Sequence, residues 1–181
     1  MSKFNLIKML QNYQPIDHNE IEFKPRMIEF IQEHSNCFDR SLAIGHITAS
    51  AWILNKNHLK ALLMHHAKLG QWFQLGGHCD GNPDVLSVAI KEAQEESGIN
   101  GIAPLSENIF DIDIHLIPEN SKEKAHYHYD VRFLLAVTSD EKVIPNNESK
   151  ELRWISKELS CLPTESQSVE RMFNKWLTNC Y

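Results

Sequence analysis

The chain has 181 residues, a formal net charge of −6, 42% hydrophobic and 23% charged residues, enough for one substantial domain whose core buries about two-thirds of the unfolded surface. The acidic balance argues against an extended nucleic-acid interface, and no run approaches the roughly 18 apolar residues of a membrane span. The opening stretch MSKFNLIKMLQNYQ is too interrupted by polar residues for a signal peptide, so a soluble, cytoplasmic protein without membrane association is expected.

Residues 1–40 read as helical. Leu6, Ile7, Leu10 and Tyr13 recur at helical spacing before Pro15 interrupts. Asp17 and Glu20 are spaced as a capping box, and Pro25 suits the first turn of a helix carrying Met27, Ile28, Phe30 and Ile31. Nothing in these residues bears chemistry. They are expected to form an N-terminal helical extension, either a homodimer interface or a cap shaping the substrate entrance, ahead of a domain spanning residues 41–181.

From Gly45 the period becomes two. Ile47, Ala49, Ala51 and Ile53 alternate with His46, Thr48, Ser50 and Trp52, the pattern of a strand with two unlike faces. Asn55 to Asn57 make a turn, Leu59 to His66 a second, antiparallel strand, and Trp72 to Leu75 a short strand entering a double glycine. Gly76, Gly77 and the Gly81-Asn82-Pro83 run form a loop of small side chains. Asp84 is the expected N-cap of a helix that buries Val85, Leu86, Val88, Ala89 and Ala93, with Gly98 as its C-cap and Ile99 as the apolar contact beyond.

Further on, Ile112, Ile114 and Leu116 alternate with Asp111, Asp113 and His115. A polar linker, 118–124, precedes a strand over His126 to Val137 whose apolar second half should be central. Glu151 to Ile155 is a short final strand. Thr164 and Gln167 are spaced as a capping box before a helix with Val169, Met172, Phe173, Trp176 and Leu177 on one side. Strands interleaved with helices predict the α/β class, an α/β/α sandwich around a mixed β-sheet. Cys37, Cys79, Cys161 and Cys180 include no C-x-x-C pair, so free thiols are expected rather than a zinc knuckle or a redox pair.

The chemistry concentrates in the helix after the glycines. Residues three and four apart share a helical face, so Glu92, Glu95 and Glu96 converge on one patch. Unit charges about 5 Å apart repel by roughly 3 kcal/mol at an effective dielectric of about 20, and by a few tenths at an exposed surface. A hard divalent ion that takes oxygen ligands turns this repulsion into coordination, which points to Mg²⁺, with Mn²⁺ as a substitute.

The stretch GGHCDGNPDVLSVAIKEAQEESGI resembles the Nudix box: a glycine, five residues, Glu, seven residues, Arg-Glu, an apolar residue, any residue, Glu-Glu, any residue, Gly and an apolar residue. Here these are Gly77, Lys91-Glu92, Glu95-Glu96 and Gly98-Ile99, without an insertion. Pro83 stands where the first Glu belongs and Lys91 replaces Arg, keeping the charge but losing the planar fork. GHITASAWIL, HHAKLGQWFQLGGHCDG, HYHYDVRFLL and LRWISKEL extend the likeness to a bacterial Nudix subgroup with an added N-terminal helical segment.

The resemblance implies Mg²⁺-dependent hydrolysis of a diphosphate (pyrophosphate) linkage in a nucleoside diphosphate joined to another moiety. Glu92, Glu95 and Glu96 would hold the metal, Gly77 would add its carbonyl, and Lys91 would sit beside the carboxylates. Glu92 or Glu96 is an alternative candidate for the base that activates water. The competing expectation is a Nudix-fold nucleotide-binding or regulatory protein with weak or no catalysis, favoured by Pro83 and Lys91.

Other residues carry open readings. His126 and His128 lie two apart on a strand and face the same way, with Asp130 one step beyond; substrate contact, zinc ligation and packing all fit. His78 is a candidate substrate contact in the glycine loop. Arg132, a charge in an apolar strand, needs either a partner or a ligand and is a candidate phosphate contact beside Lys68 and Arg153. Trp72, Tyr127 and Tyr129 suit base stacking or packing. Glu148 and Glu151 are alternatives for a carboxylate supplied from outside the box. Cys79 raises the rival of a Nudix-fold isoprenoid diphosphate isomerase with a catalytic cysteine.

Overall fold

The computed structural model describes residues 2–119 and 124–178; Cys180 and part of the 118–124 linker lie outside them. Two helices, α1 (Lys3–Asn12) and α2 (His18–Glu33), precede the strands β1 (Gly45–Leu54), β2 (Lys60–His66), β3 (Trp72–Phe73) and β4 (Leu75–His78). Helix α3 (Val85–Ser97) follows, then β5 (Ile102–Pro104), β6 (Asp111–Ile117), β7 (His126–Val137), β8 (Ser149–Ser156) and α4 (Gln167–Thr178).

The sheet is mixed because β1 and β7 run parallel from Gly45–Tyr127 to Leu54–Ala136, whereas every other pairing is antiparallel. On its other side β1 changes neighbour midway, pairing with β4 over Thr48–Ala51 and with β2 at Ile53 and Leu54. Strand β7 does the same, taking β6 along its first half and β5 along its last residues.

Alternation along β1 and β7 divides the two faces. Ile47, Ala49, Ala51, Ile53, Val131, Phe133 and Leu135 join a core with α3 and with Leu6, Leu10, Met27, Phe30 and Ile31 of α1 and α2. Trp52, Leu54, Leu134 and Ala136 face the second core, closed by Val169, Met172, Phe173 and Trp176 of α4. The result is the expected α/β/α sandwich, with N-terminal helices sharing the main core. No helix of the described residues is long and apolar enough to cross a membrane.

Local signals fix most ends. The Asp17–Glu20 capping box is present, and the Asp84 carboxylate accepts the Ser87 N–H at 3.2 Å. Gly98 closes α3 in the left-handed region at φ 72°, where glycine has no Cβ penalty. Two expectations need correction. Pro25 lies inside α2 rather than in its first turn, because the capping box starts that helix at His18 and tertiary packing carries it through the proline. Thr164, three residues before α4 begins, accepts the Ser166 N–H on its Oγ1 at 3.2 Å, so it organises the lead-in and not the cap. The three-residue β5 is too short to show a period.

Candidate functional site

Helix α3 packs across β4, and that contact shapes the carboxylate cluster. The buried Glu96 reaches back to the strand, where the Gly76 N–H donates to its Oε2 at 2.8 Å. Glu92, one turn earlier on the same face, lies against Gly77 so closely that a Cβ there would sit 2.5 Å from its Oε2. A Cβ on Gly76 would collide with Ser50 and the Ala49 carbonyl. Gly77 thus lets the helix carboxylate seat against β4, while Gly76 lets β4 lie close to Ser50 and Ala49 of β1.

The three glutamates divide. Glu92 and Glu96 turn inward, whereas Glu95 is exposed and meets Lys91 Nζ at 3.1 Å; the same ammonium reaches Glu92 at 3.2 Å. Burial, together with Glu148 and Glu92, pushes the Glu96 carboxyl up to about 8, against the lowering effect of the Gly76 hydrogen bond. Glu92 is raised chiefly by burial, and Glu95 and Glu148 add to the shift. Glu148 is thus the outside carboxylate that joins the cluster. Glu151 is committed to Arg153 at 2.8 Å. An all-oxygen donor set whose members raise one another's pKa fits a hard divalent cation.

On β4 the side chain after Gly77 points to the other sheet face. There His78 meets His46 of β1 and His128 of β7, with ring centroids 5.0 and 5.1 Å away. His46 and His128 are direct partners in the parallel register, and His115 of β6 stands opposite His128. His126 completes the group, its Nε2 3.3 Å from His128 Nε2. Burial and neighbouring imidazoles push the His46 pKa down to about 4 and that of His128 lower still. Both rings are neutral at physiological pH.

Deeper on this face the row becomes a buried ion network. Asp130 accepts from Thr48, Ser50 and Gln74. Arg132, 1% exposed, meets Asp130 at 2.7 Å, Asp111 at 3.0 Å and Asp113 at 3.3 Å. Arg171 and Lys175 of α4 bind Asp111 as well, and Lys175 also meets Glu20 of α2. Arg132 is therefore corrected from a phosphate contact to a structural cation, its guanidinium taken up by three carboxylates.

The remaining candidates serve packing. Trp72 lies between the His65 ring and the Arg153 guanidinium, which is 4.5 Å from its centroid. Tyr129 stacks on Phe30 at 3.9 Å. Cys79 is buried and its thiol is pushed far up, mainly by burial, which opposes a thiolate role. His46 and His115 escaped sequence reading as site residues. The signal present was alternation: His46, Thr48 and Ser50 share one face of β1, as His126, His128, Asp130 and Arg132 share one face of β7.

Comparison with known proteins agrees with this architecture. The NUDIX domain model matches residues 45–177. A "Probable DHNTP pyrophosphohydrolase" from Lactococcus lactis subsp. cremoris is 29% identical over 157 residues, covering 84% of this chain and 90% of that protein. A Nudix-family hydrolase structure from Clostridium perfringens superposes with TM-score 0.56 at 25% identity, covering 72% of this chain and 95% of its own. A UDP-X diphosphatase structure has TM-score 0.52 at 15% identity and covers 98% of this chain and 97% of its own, which carries the likeness through the N-terminal helices.

Proposed function

The chain belongs to the Nudix family, and from that premise we propose that it hydrolyses a diphosphate linkage in a small, nucleotide-like substrate, using Mg²⁺ held by Glu92, Glu95, Glu96 and the Gly77 carbonyl, with Glu148 as a further carboxylate. The observation that carries this reading is the close seating of Glu92 on Gly77 and of Glu96 on the Gly76 N–H. It packs the Glu92 and Glu96 carboxylates against backbone, with the Lys91 ammonium between Glu92 and Glu95. The names of the relatives, a DHNTP pyrophosphohydrolase and a UDP-X diphosphatase, support a diphosphate bonded to a heterocycle-bearing group.

Mg²⁺ bound there supplies Lewis-acid polarisation of phosphate oxygens and lowers the pKa of a coordinated water. The chain's own part is positioning. Gly76 fixes Glu96 through the backbone N–H, and the Lys91 ammonium donates to both Glu92 and Glu95, drawing them together. In the reaction, water oxygen bonds to phosphorus as the phosphorus–oxygen bond to the leaving phosphate breaks, and the water's proton passes to a carboxylate of the cluster.

A second reading, ligand binding without efficient turnover, is favoured by Lys91, whose single-point contacts replace a bidentate clamp. Chromatography of the cleavage products from a panel of nucleotide sugars, dinucleoside polyphosphates, ADP-ribose, NADH, coenzyme A and nucleoside triphosphates, with and without Mg²⁺, separates the two. Metal-dependent cleavage of at least one compound is expected. Silence across the panel together with tight ligand retention overturns the hydrolase reading in favour of the binding module.

A further inference from the structure

His46 is 2% exposed, and neither of its ring nitrogens has a hydrogen-bond partner among the described residues. A buried imidazole whose ring nitrogens lack partners forfeits the hydrogen bonds that water would supply, so its place in the fold needs a compensating ligand. It does not stand alone. One ring nitrogen from each of His46, His78 and His128 lies within 4.8 Å of the other two.

The surroundings are those of a metal site. A tetrahedral zinc ion with bonds of about 2.0–2.1 Å holds its nitrogen ligands roughly 3.4 Å apart, and His126 Nε2 already stands 3.3 Å from His128 Nε2. His126 Nδ1 lies 2.8 Å from the Lys124 carbonyl oxygen, and His115 Nδ1 lies 3.0 Å from Asp113 Oδ2. Such outer hydrogen bonds fix the tautomer and direct Nε2 toward an ion. His78 and His128 are partly exposed, leaving a route from solvent.

We propose that His46, His78 and His128 form a site for a borderline divalent transition-metal ion such as Zn²⁺, separate from the glutamate cluster on the opposite face of β4. Imidazole donors select this class over Mg²⁺, which takes oxygen ligands. The ion ties β4 to β1 and β7, the strands that carry its ligands.

The test uses the full chain prepared without a histidine tag, stripped with a chelator and titrated with Zn²⁺ and with Co²⁺ in excess Mg²⁺. One Zn²⁺ per chain is expected, with the visible Co²⁺ bands of a tetrahedral site of three imidazoles and solvent. His78→Ala and His128→Gln should each weaken Zn²⁺ binding by more than about 100-fold, since outer partners alone are worth about 10–100-fold. The partly exposed His78 keeps the test decisive if a His46 variant fails to fold. Glu95→Gln/Glu96→Gln should bind Zn²⁺ as the wild type does, so the failure of either site is seen without the other. Zn²⁺ affinity within about threefold of wild type in both histidine variants, or loss confined to the glutamate variant, overturns the proposal.

Discussion

The two faces of β4 present opposite solutions to holding polar groups together. On one, Gly77 leaves room for Glu92 and the Gly76 N–H holds Glu96, so that carboxylates of α3 crowd against backbone. On the other, His46, His78 and His128 come together from β1, β4 and β7. The first is a hard, charged, oxygen-lined cluster whose members raise one another's pKa. The second is a nitrogen-lined cluster in which burial keeps His46 and His128 neutral. One strand therefore separates two sites suited to different metal classes, and their independence is open to experiment.

The largest effect expected is loss of turnover in Glu95→Gln/Glu96→Gln. Metal charge stabilisation is worth several kcal/mol, or about a thousandfold in rate, so Mg²⁺-dependent cleavage should fall at least that far while the imidazole face keeps its ligand geometry.

Next is Arg132→Ala, which probes the buried network beneath the histidines. Removing one member of a buried ion cluster leaves uncompensated charge and costs about 3–5 kcal/mol, because Asp111, Asp113 and Asp130 all lean on this guanidinium. Denaturant unfolding should show that loss. A variant as stable as wild type with a raised KM would return Arg132 to the substrate.

A smaller effect belongs to Gly77→Ala. The new Cβ meets only the end of the Glu92 side chain, so Glu92 swings away at little cost in stability, and Mg²⁺ affinity measured by calorimetry should drop while the melting temperature barely moves.

The mildest test uses pH. The Glu96 carboxyl rises from an ordinary 4.5 to about 8 in the fold. The folded state therefore keeps a proton that the unfolded chain gives up, and the stability this contributes is lost as pH climbs from about 4.5 through about 8. Because Mg²⁺ binds the ionised carboxylate, it should raise the melting temperature more at pH 8.5 than at pH 6. An equal rise at both would exclude Glu96 as a ligand.

The contrast between the faces also explains what could be read in advance. The carboxylate helix is contiguous: its N-cap, apolar side, glutamate spacing and closing glycine lie within one stretch, and each acts locally. The histidine cluster depends on the parallel register that sets His46 beside His128, a non-local pairing that no window of sequence displays. The same limit hid the fate of Arg132, whose need for partners was legible while the three aspartates that meet it were not. Choosing Glu148 over Glu151 likewise required knowing that Arg153 claims the latter.

Cleavage of a responsive diphosphate substrate, compared between wild type and Glu95→Gln/Glu96→Gln across a Mg²⁺ titration, tests the central claim most directly. The wild type should show saturable, Mg²⁺-dependent turnover that the folded variant lacks at every concentration. Equal turnover in the two proteins would contradict the assignment of the glycine-seated glutamates as the catalytic metal site.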